Sequence, residues 1–154
     1  MELVSLLSPE AIRVLPACTS KKRLFQELGE IIETAHGLPA GIAFDALQAR
    51  ESLGPTGVGN GIALPHARTS ELSAVTGVFV RLEKPLDFDA VDRLPVDLVF
   101  ALFAPEDAGV DHLKALALVS RTMRDPTLCA KLRANSDAAT LHAILTAKQS
   151  TQAA

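Results

Sequence analysis

The chain has no tryptophan and no tyrosine, and six phenylalanines supply its whole 4% aromatic content. Single-stranded nucleic acid is bound by stacking bases on aromatic faces beside a basic groove. Here the formal net charge is -3 and the only dense basic run is Lys21-Lys22-Arg23. No nucleic-acid partner is expected, and the run reads as a solvated helix face. Cysteine is scarce too: Cys18 and Cys129 lie far apart, neither with a second Cys or a His at ligand spacing, so they read as reduced thiols outside any disulfide framework or zinc site. The longest apolar run free of charge and proline, Leu98 to Ala104, falls well short of the about 20 residues that cross a bilayer. Leu15-Pro16-Ala17-Cys18 has the outline of a lipoprotein cleavage site, but Glu10 and Arg13 interrupt the apolar region that would precede it. The expected address is the cytoplasm, without direct membrane insertion.

What is present is enough for a core. A chain of 154 residues that is 48% hydrophobic reads as a single domain over 1–154, ordered from about 3 to 147, with the polar tail KQSTQAA frayed. Ile12–Leu15 predicts a short strand, and Ser20 caps a helix over 21–36 that Gly37 ends. A second helix over 40–53 carries Ile42, Ala43, Ala46, Leu47 and Leu53 on one stripe. Strands follow at 62–64, 77–82 and 96–104, the last apolar enough for a sheet covered on both faces. The segment EKPLDFDAVDRLP between them reads mostly as loop. A helix from about Asp111 to Arg124 directs Leu113, Leu116, Val119, Ser120 and Met123 inward, Asp125-Pro126 opens another to Ala134, and Ser136 or Asp137 opens the last, through Leu145. His142 on that helix reads as a surface residue. The expected fold class is α/β: a three-layer sandwich, a mixed β-sheet flanked by helices on both faces.

Three oddities converge in this frame. Arg50 falls in the middle of the apolar stripe of the second helix, where an unpaired charge is costly. TGVGNGIALPHAR (56–68) concentrates glycine just upstream of Pro65 and His66, a loop whose backbone can approach an anion closely, and Pro65 sends His66 off the strand end in a defined direction. His112 lies on an inward row in the first turn of its helix. The glycines match neither phosphate fingerprint: Asn60-Gly61 stand where a P-loop needs Lys and Ser or Thr, and the run follows a helix, not the strand that precedes a dinucleotide loop.

The stretches ARESLGPTGVGNGIALPHA, GVFVRLEKPLDFDAVDRLPVDLVFALFAPE and DHLKALALVSRTMRD resemble, in order, the IIA phosphocarrier domains of the bacterial phosphoenolpyruvate-dependent phosphotransferase system, of the fructose/mannitol type and its nitrogen-regulatory branch. The resemblance implies that His66 is phosphorylated by the phosphohistidine of an HPr-like carrier, that His112 is the second active-site histidine, and that Arg50 is the active-site arginine. No cofactor is implied. It further implies a regulator whose phosphorylation state selects its partners, among them potassium transporters and sensor kinases. Two positions depart from the branch: Ala67-Arg68 stand where glycine and then lysine often follow the phosphorylated histidine, and Asp111 stands where a threonine-like residue is expected.

Phosphoryl transfer between imidazoles asks for alignment and neutralised charge. Arg50 is placed to supply charge, and the amides of 58–61 with Asn60 are candidate further donors. An apolar partner is expected to dock around His66 over Val58, Ile62 and Phe103. Two alternatives stand beside this reading: a IIA component of a sugar uptake system that passes phosphate to a IIB domain, and a zinc site built from His66, His112 and Asp111 or Asp107.

Overall fold

The computed structural model describes residues 1–147; the tail expected to fray lies outside the described residues. Gly37 opens and Pro39 closes a connection between two helices, α2 (Lys21–His36) and α3 (Ala40–Glu51), that follow a short α1 (Leu3–Leu6) and strand β1 (Ile12–Leu15). Ser20 accepts from the Arg23 amide at the start of α2, and Gly37 takes the left-handed conformation at its end, φ 77. Both boundaries fall where capping chemistry puts them.

The sheet has six strands. The segments β2 (Gly57–Gly59), β3 (Ile62–Ala63), β4 (His66–Thr69), β5 (Thr76–Leu86) and β6 (Val96–Pro105) join β1 in the order β1-β5-β6-β3-β2, with β4 also paired to β6. The β1-β5 and β6-β3 pairs are parallel and β5-β6 antiparallel, so the sheet is mixed as expected. The strand over 77–82 is longer than predicted and reaches Leu86, which shortens the loop EKPLDFDAVDRLP to 87–95; Phe88 and Ala90 from that loop are buried.

The helices α4 (Val110–Met123), α5 (Pro126–Arg133) and α6 (Ala138–Thr146) pack with α1 and against β1 and β6, while α2 and α3 pack on each other and on β4 and β5. These are the outer layers of the expected sandwich. Asp125 and Asp137 cap α5 and α6. The core between the layers is apolar, with Phe25, Phe79, Phe88, Phe100 and Phe103 fully buried. His142 is not a plain surface residue: it is half-buried, and Nε2 lies 3.0 Å from the Leu7 carbonyl, tying α6 to the N-terminal segment. Among the described residues no helix is long and apolar enough to cross a membrane.

Candidate functional site

His66 does not leave the sheet. It begins β4, which runs parallel to β6 with His66 opposite Leu102 and Arg68 opposite Ala104. β3 and β4 are one line of chain along β6, interrupted at Leu64-Pro65, where proline has no N–H to give the ladder. Pro65 still accepts from the Leu102 amide at 2.9 Å. β2 pairs β3 and ends before β4. The outer edge of β4 therefore carries no strand, and α3 and α4 approach one another there.

At that edge Ala46 and Arg50 from α3, His66, Ala67 and Arg68 from β4, and His112, Leu113 and Leu116 from α4 line one cleft of about 360 Å³. The structure thus brings together all three predicted site residues, 50, 66 and 112. Side chains two apart on a strand share a face, which puts Arg68 beside His66. Arg68 is the cleft residue that sequence reading noted only as a departure from the family pattern and gave no role. Its signal was the His-x-Arg spacing, silent as long as the chain after Pro65 was read as leaving the sheet.

The ring nitrogens can be assigned from their partners. His66 Nδ1 lies 3.0 Å from the Leu64 carbonyl oxygen; a carbonyl only accepts, so Nδ1 carries the proton and Nε2 keeps the lone pair. Arg68 Nε donates to His112 Nδ1 at 3.0 Å, so in the neutral ring the His112 proton sits on Nε2. That nitrogen is buried with no hydrogen-bond partner, in a residue only 4% exposed. The two imidazoles meet edge to face, 5.8 Å between centroids at 66°. Burial, then the Arg68 charge, then His66 hold the His112 pKa below its ordinary value, so His112 is uncharged at neutral pH.

Arg50 is half-buried and donates from Nη1 to the Gly54 carbonyl at 2.9 Å. Among the described residues no carboxylate pairs with it. The turn that holds Gly54 is fastened by Glu51, whose carboxylate accepts from Lys21 Nζ at 2.9 Å, the Thr56 amide at 3.0 Å and Thr56 Oγ1 at 2.7 Å. The predicted stripe on α3 is narrower than expected: Ala43 and Leu47 are buried, whereas Ile42 and Leu53 are exposed. On α4 the inward row is His112, Ala115, Val119, Thr122 and Met123, and Leu113 turns out to solvent, 63% exposed at the cleft rim.

The glycine run does another job than expected. Residues 58–61 do not line the cleft; they form the β2-β3 hairpin, with Asn60 at φ 57 and Gly61 at φ 79. Two successive left-handed residues make the tight turn that suits hairpin twist. The Asn60 backbone is engaged elsewhere: its amide donates to Asp92 at 2.8 Å, and its carbonyl accepts from Arg133 Nη2 at 2.7 Å. Arg133 in turn grips both oxygens of Asp97. The expected docking surface is also displaced, because Ile62 and Phe103 are buried and only Val58 is exposed. Among the described residues no three His, Cys, Asp or Glu are grouped to hold a metal ion. The position beside the two histidines is held by Arg68, a cation, which leaves the zinc alternative without a ligand set.

Residues 5–148 match the family described as phosphoenolpyruvate-dependent sugar phosphotransferase system, EIIA 2. The chain is 43% identical over 153 residues to a nitrogen regulatory protein of Bradyrhizobium diazoefficiens, covering 99% of this chain and 100% of the relative. It is equally 43% identical over 153 residues to the nitrogen regulatory protein of Escherichia coli, covering 98% and 93%. The crystal structure of nitrogen regulatory protein IIA-Ntr from Neisseria meningitidis superposes with a TM-score of 0.84 at 39% identity, over 92% of this chain and 97% of that one. The protein is a phosphotransferase-system EIIA of type 2, a phosphocarrier homologous over its full length to nitrogen regulatory proteins.

Proposed function

We propose that His66 accepts a phosphoryl group on Nε2 from the phosphohistidine of a small HPr-like carrier, and that the two phosphorylation states bind different target proteins, transporters or sensor kinases among them. One observation supports this above the others. The His66 Nδ1 proton is committed to Leu64, which leaves a nucleophilic lone pair on Nε2 in a cleft that also holds an arginine with no carboxylate partner.

In the transfer an Nε2–P bond forms, the P–N bond of the donor breaks, and its electron pair stays on the donor imidazole. No proton has to move. His66 keeps the Nδ1 proton, and the positive charge its ring gains is shared with the Leu64 carbonyl. The incoming group brings about 1.5 to 2 negative charges. Arg50 opposes them with guanidinium N–H groups not used by Gly54, and His112 Nε2–H offers a neutral donor to a phosphoryl oxygen. Alignment and charge are the main requirements of such a transfer.

For regulation, the exposed Leu113 gives the rim of the cleft an apolar contact, with Val110, also exposed, one turn before it on α4. A dianion set in the middle of that contact would have to be desolvated on docking, so the unphosphorylated form is the one that binds the target. The test is incubation with phosphoenolpyruvate, enzyme I and the small carrier. An acid-labile phosphoryl group on His66, absent from His66→Ala, is expected; a phosphoryl group on another residue would overturn the assignment.

A further inference from the structure

We propose that Arg68 is a positioning residue for this transfer: its Nε–H fixes His112 as the tautomer with a proton on Nε2, so that a hydrogen-bond donor, and not a lone pair, meets the phosphoryl group on His66. The inference rests on His66 being the acceptor, as proposed above.

A guanidinium Nε always carries hydrogen and never accepts, so its 3.0 Å contact with His112 Nδ1 has one polarity. The remaining proton of the neutral ring is thereby sent to Nε2, the buried nitrogen without a protein partner. A buried donor left unpaired is expensive, and a phosphoryl oxygen is the acceptor that this cleft is proposed to receive. The opposite tautomer would aim a lone pair at an anion and would face Nδ1–H against the Arg68 N–H. Protonation of His112 meets the same clash, and the charged and titratable side chains lining the cleft are His66 and Arg68 from β4 and Arg50 from α3, with no carboxylate among them. The low pKa of His112 agrees with this.

Arginine suits the position for a second reason. Nη1 of Arg68 also reaches the Glu106 carbonyl at 3.4 Å, so one planar fork spans the end of β6 and the His112 ring. A lysine offers a single nitrogen on a flexible stem and cannot hold both points in a fixed plane. The Arg-for-Lys departure noted in the sequence thus acquires a role in setting His112.

The experiment is two-bond 1H–15N NMR of the histidine rings in the full chain, for wild type, Arg68→Met and Arg68→Lys, alongside the rate of phosphoryl transfer to His66 between about pH 5.5 and 8.5, a range bracketing the ordinary histidine pKa. Wild type is expected to show a pyridine-like Nδ1 and a pyrrole-like Nε2 on His112. Arg68→Met should mix the tautomers, move the His112 titration up toward the ordinary histidine value and slow transfer about tenfold, the scale of one lost hydrogen bond. Arg68→Lys should lie between the two on every readout. An Arg68→Met protein with unchanged tautomer and titration overturns the proposal, whether or not transfer slows. A wild type that accepts no phosphate on His66 overturns the proposed function instead, and the ring shifts still decide whether Arg68 sets the tautomer.

Discussion

His66 Nδ1 and the carbonyl oxygen of Leu64, two residues back along the same chain, are 3.0 Å apart. The contact is local, made across Pro65, where the line of chain from β3 to β4 leaves the ladder for two residues. It turns an ambiguous imidazole into one with a single open nitrogen. The neighbouring ring is set in the opposite sense by Arg68, so the cleft presents one nucleophilic nitrogen and one N–H donor.

Arg50 carries the charge in this scheme. Arg50→Ala removes at least one charge-assisted hydrogen bond to the phosphoryl group, worth about 1.5 to 3 kcal/mol. The expected result is a shift of the transfer equilibrium with the donor carrier by about tenfold to about a hundredfold against the phosphorylated form, with little change in thermal stability. Quantifying both phosphoproteins at equilibrium by mass spectrometry checks it.

His112 links the site to pH. Its folded-state pKa lies below its unfolded value because burial, Arg68 and His66 disfavour the imidazolium. Between the two values the unfolded chain binds more protons, so this contribution to stability is intact above about pH 6.5 and is lost as pH falls through the window below it. Melting temperatures measured from pH 7.5 down to pH 5 should fall, and the fall should shrink in His112→Gln. His112→Leu, which removes the Nε2 donor as well as the titration, should accept phosphate slowly but still on His66.

The hairpin assignment predicts that Gly61 matters for stability and not for chemistry. An alanine there would hold φ 79 and bring Cβ to 2.6 Å from Arg133 Nη2 and 2.9 Å from Asp97 Oδ1, straining the backbone and displacing the ion pair. Urea denaturation of Gly61→Ala should show a loss of about 1–3 kcal/mol, with phosphate acceptance per folded molecule unchanged. Lost acceptance in a fully folded variant would return the glycine run to the active site.

These cases mark what could be read before any coordinates. Helix ends with a side-chain cap or a left-handed glycine, Ser20, Gly37, Asp125 and Asp137, were legible because their chemistry is local. His66, Arg50 and His112 stood out as polar residues at odds with their patterns. β2 and β4 were not legible: β2 is a few residues rich in glycine and β4 holds three charged or polar positions, His66, Arg68 and Thr69, so neither has the apolar signal of a strand, and both exist by pairing with β3 and β6. Arg68 was given no role for the same reason, and the glycine loop was misassigned because its partners, Asp92 and Arg133, come from distant chain. Leu113 was placed inward by a helical phase one position off.

Glu51 secures the turn under Arg50 without lining the cleft. Its side chain is 7% exposed and answers three donors from Lys21 and Thr56. Glu51→Ala takes the acceptor from the Thr56 amide and hydroxyl and leaves Lys21 only Asp89, at 3.5 Å, so unfolding experiments should show a loss of about 3 kcal/mol. The Gly54 carbonyl that orients Arg50 lies within the same turn, so transfer should slow in the protein that remains folded.

The most direct test of the account is to phosphorylate the 15N-labelled protein enzymatically and read the 15N–31P coupling at His66. The account predicts phosphorus bonded to Nε2 with Nδ1 still protonated. Phosphorus on Nδ1, or coupling to another residue, would contradict it.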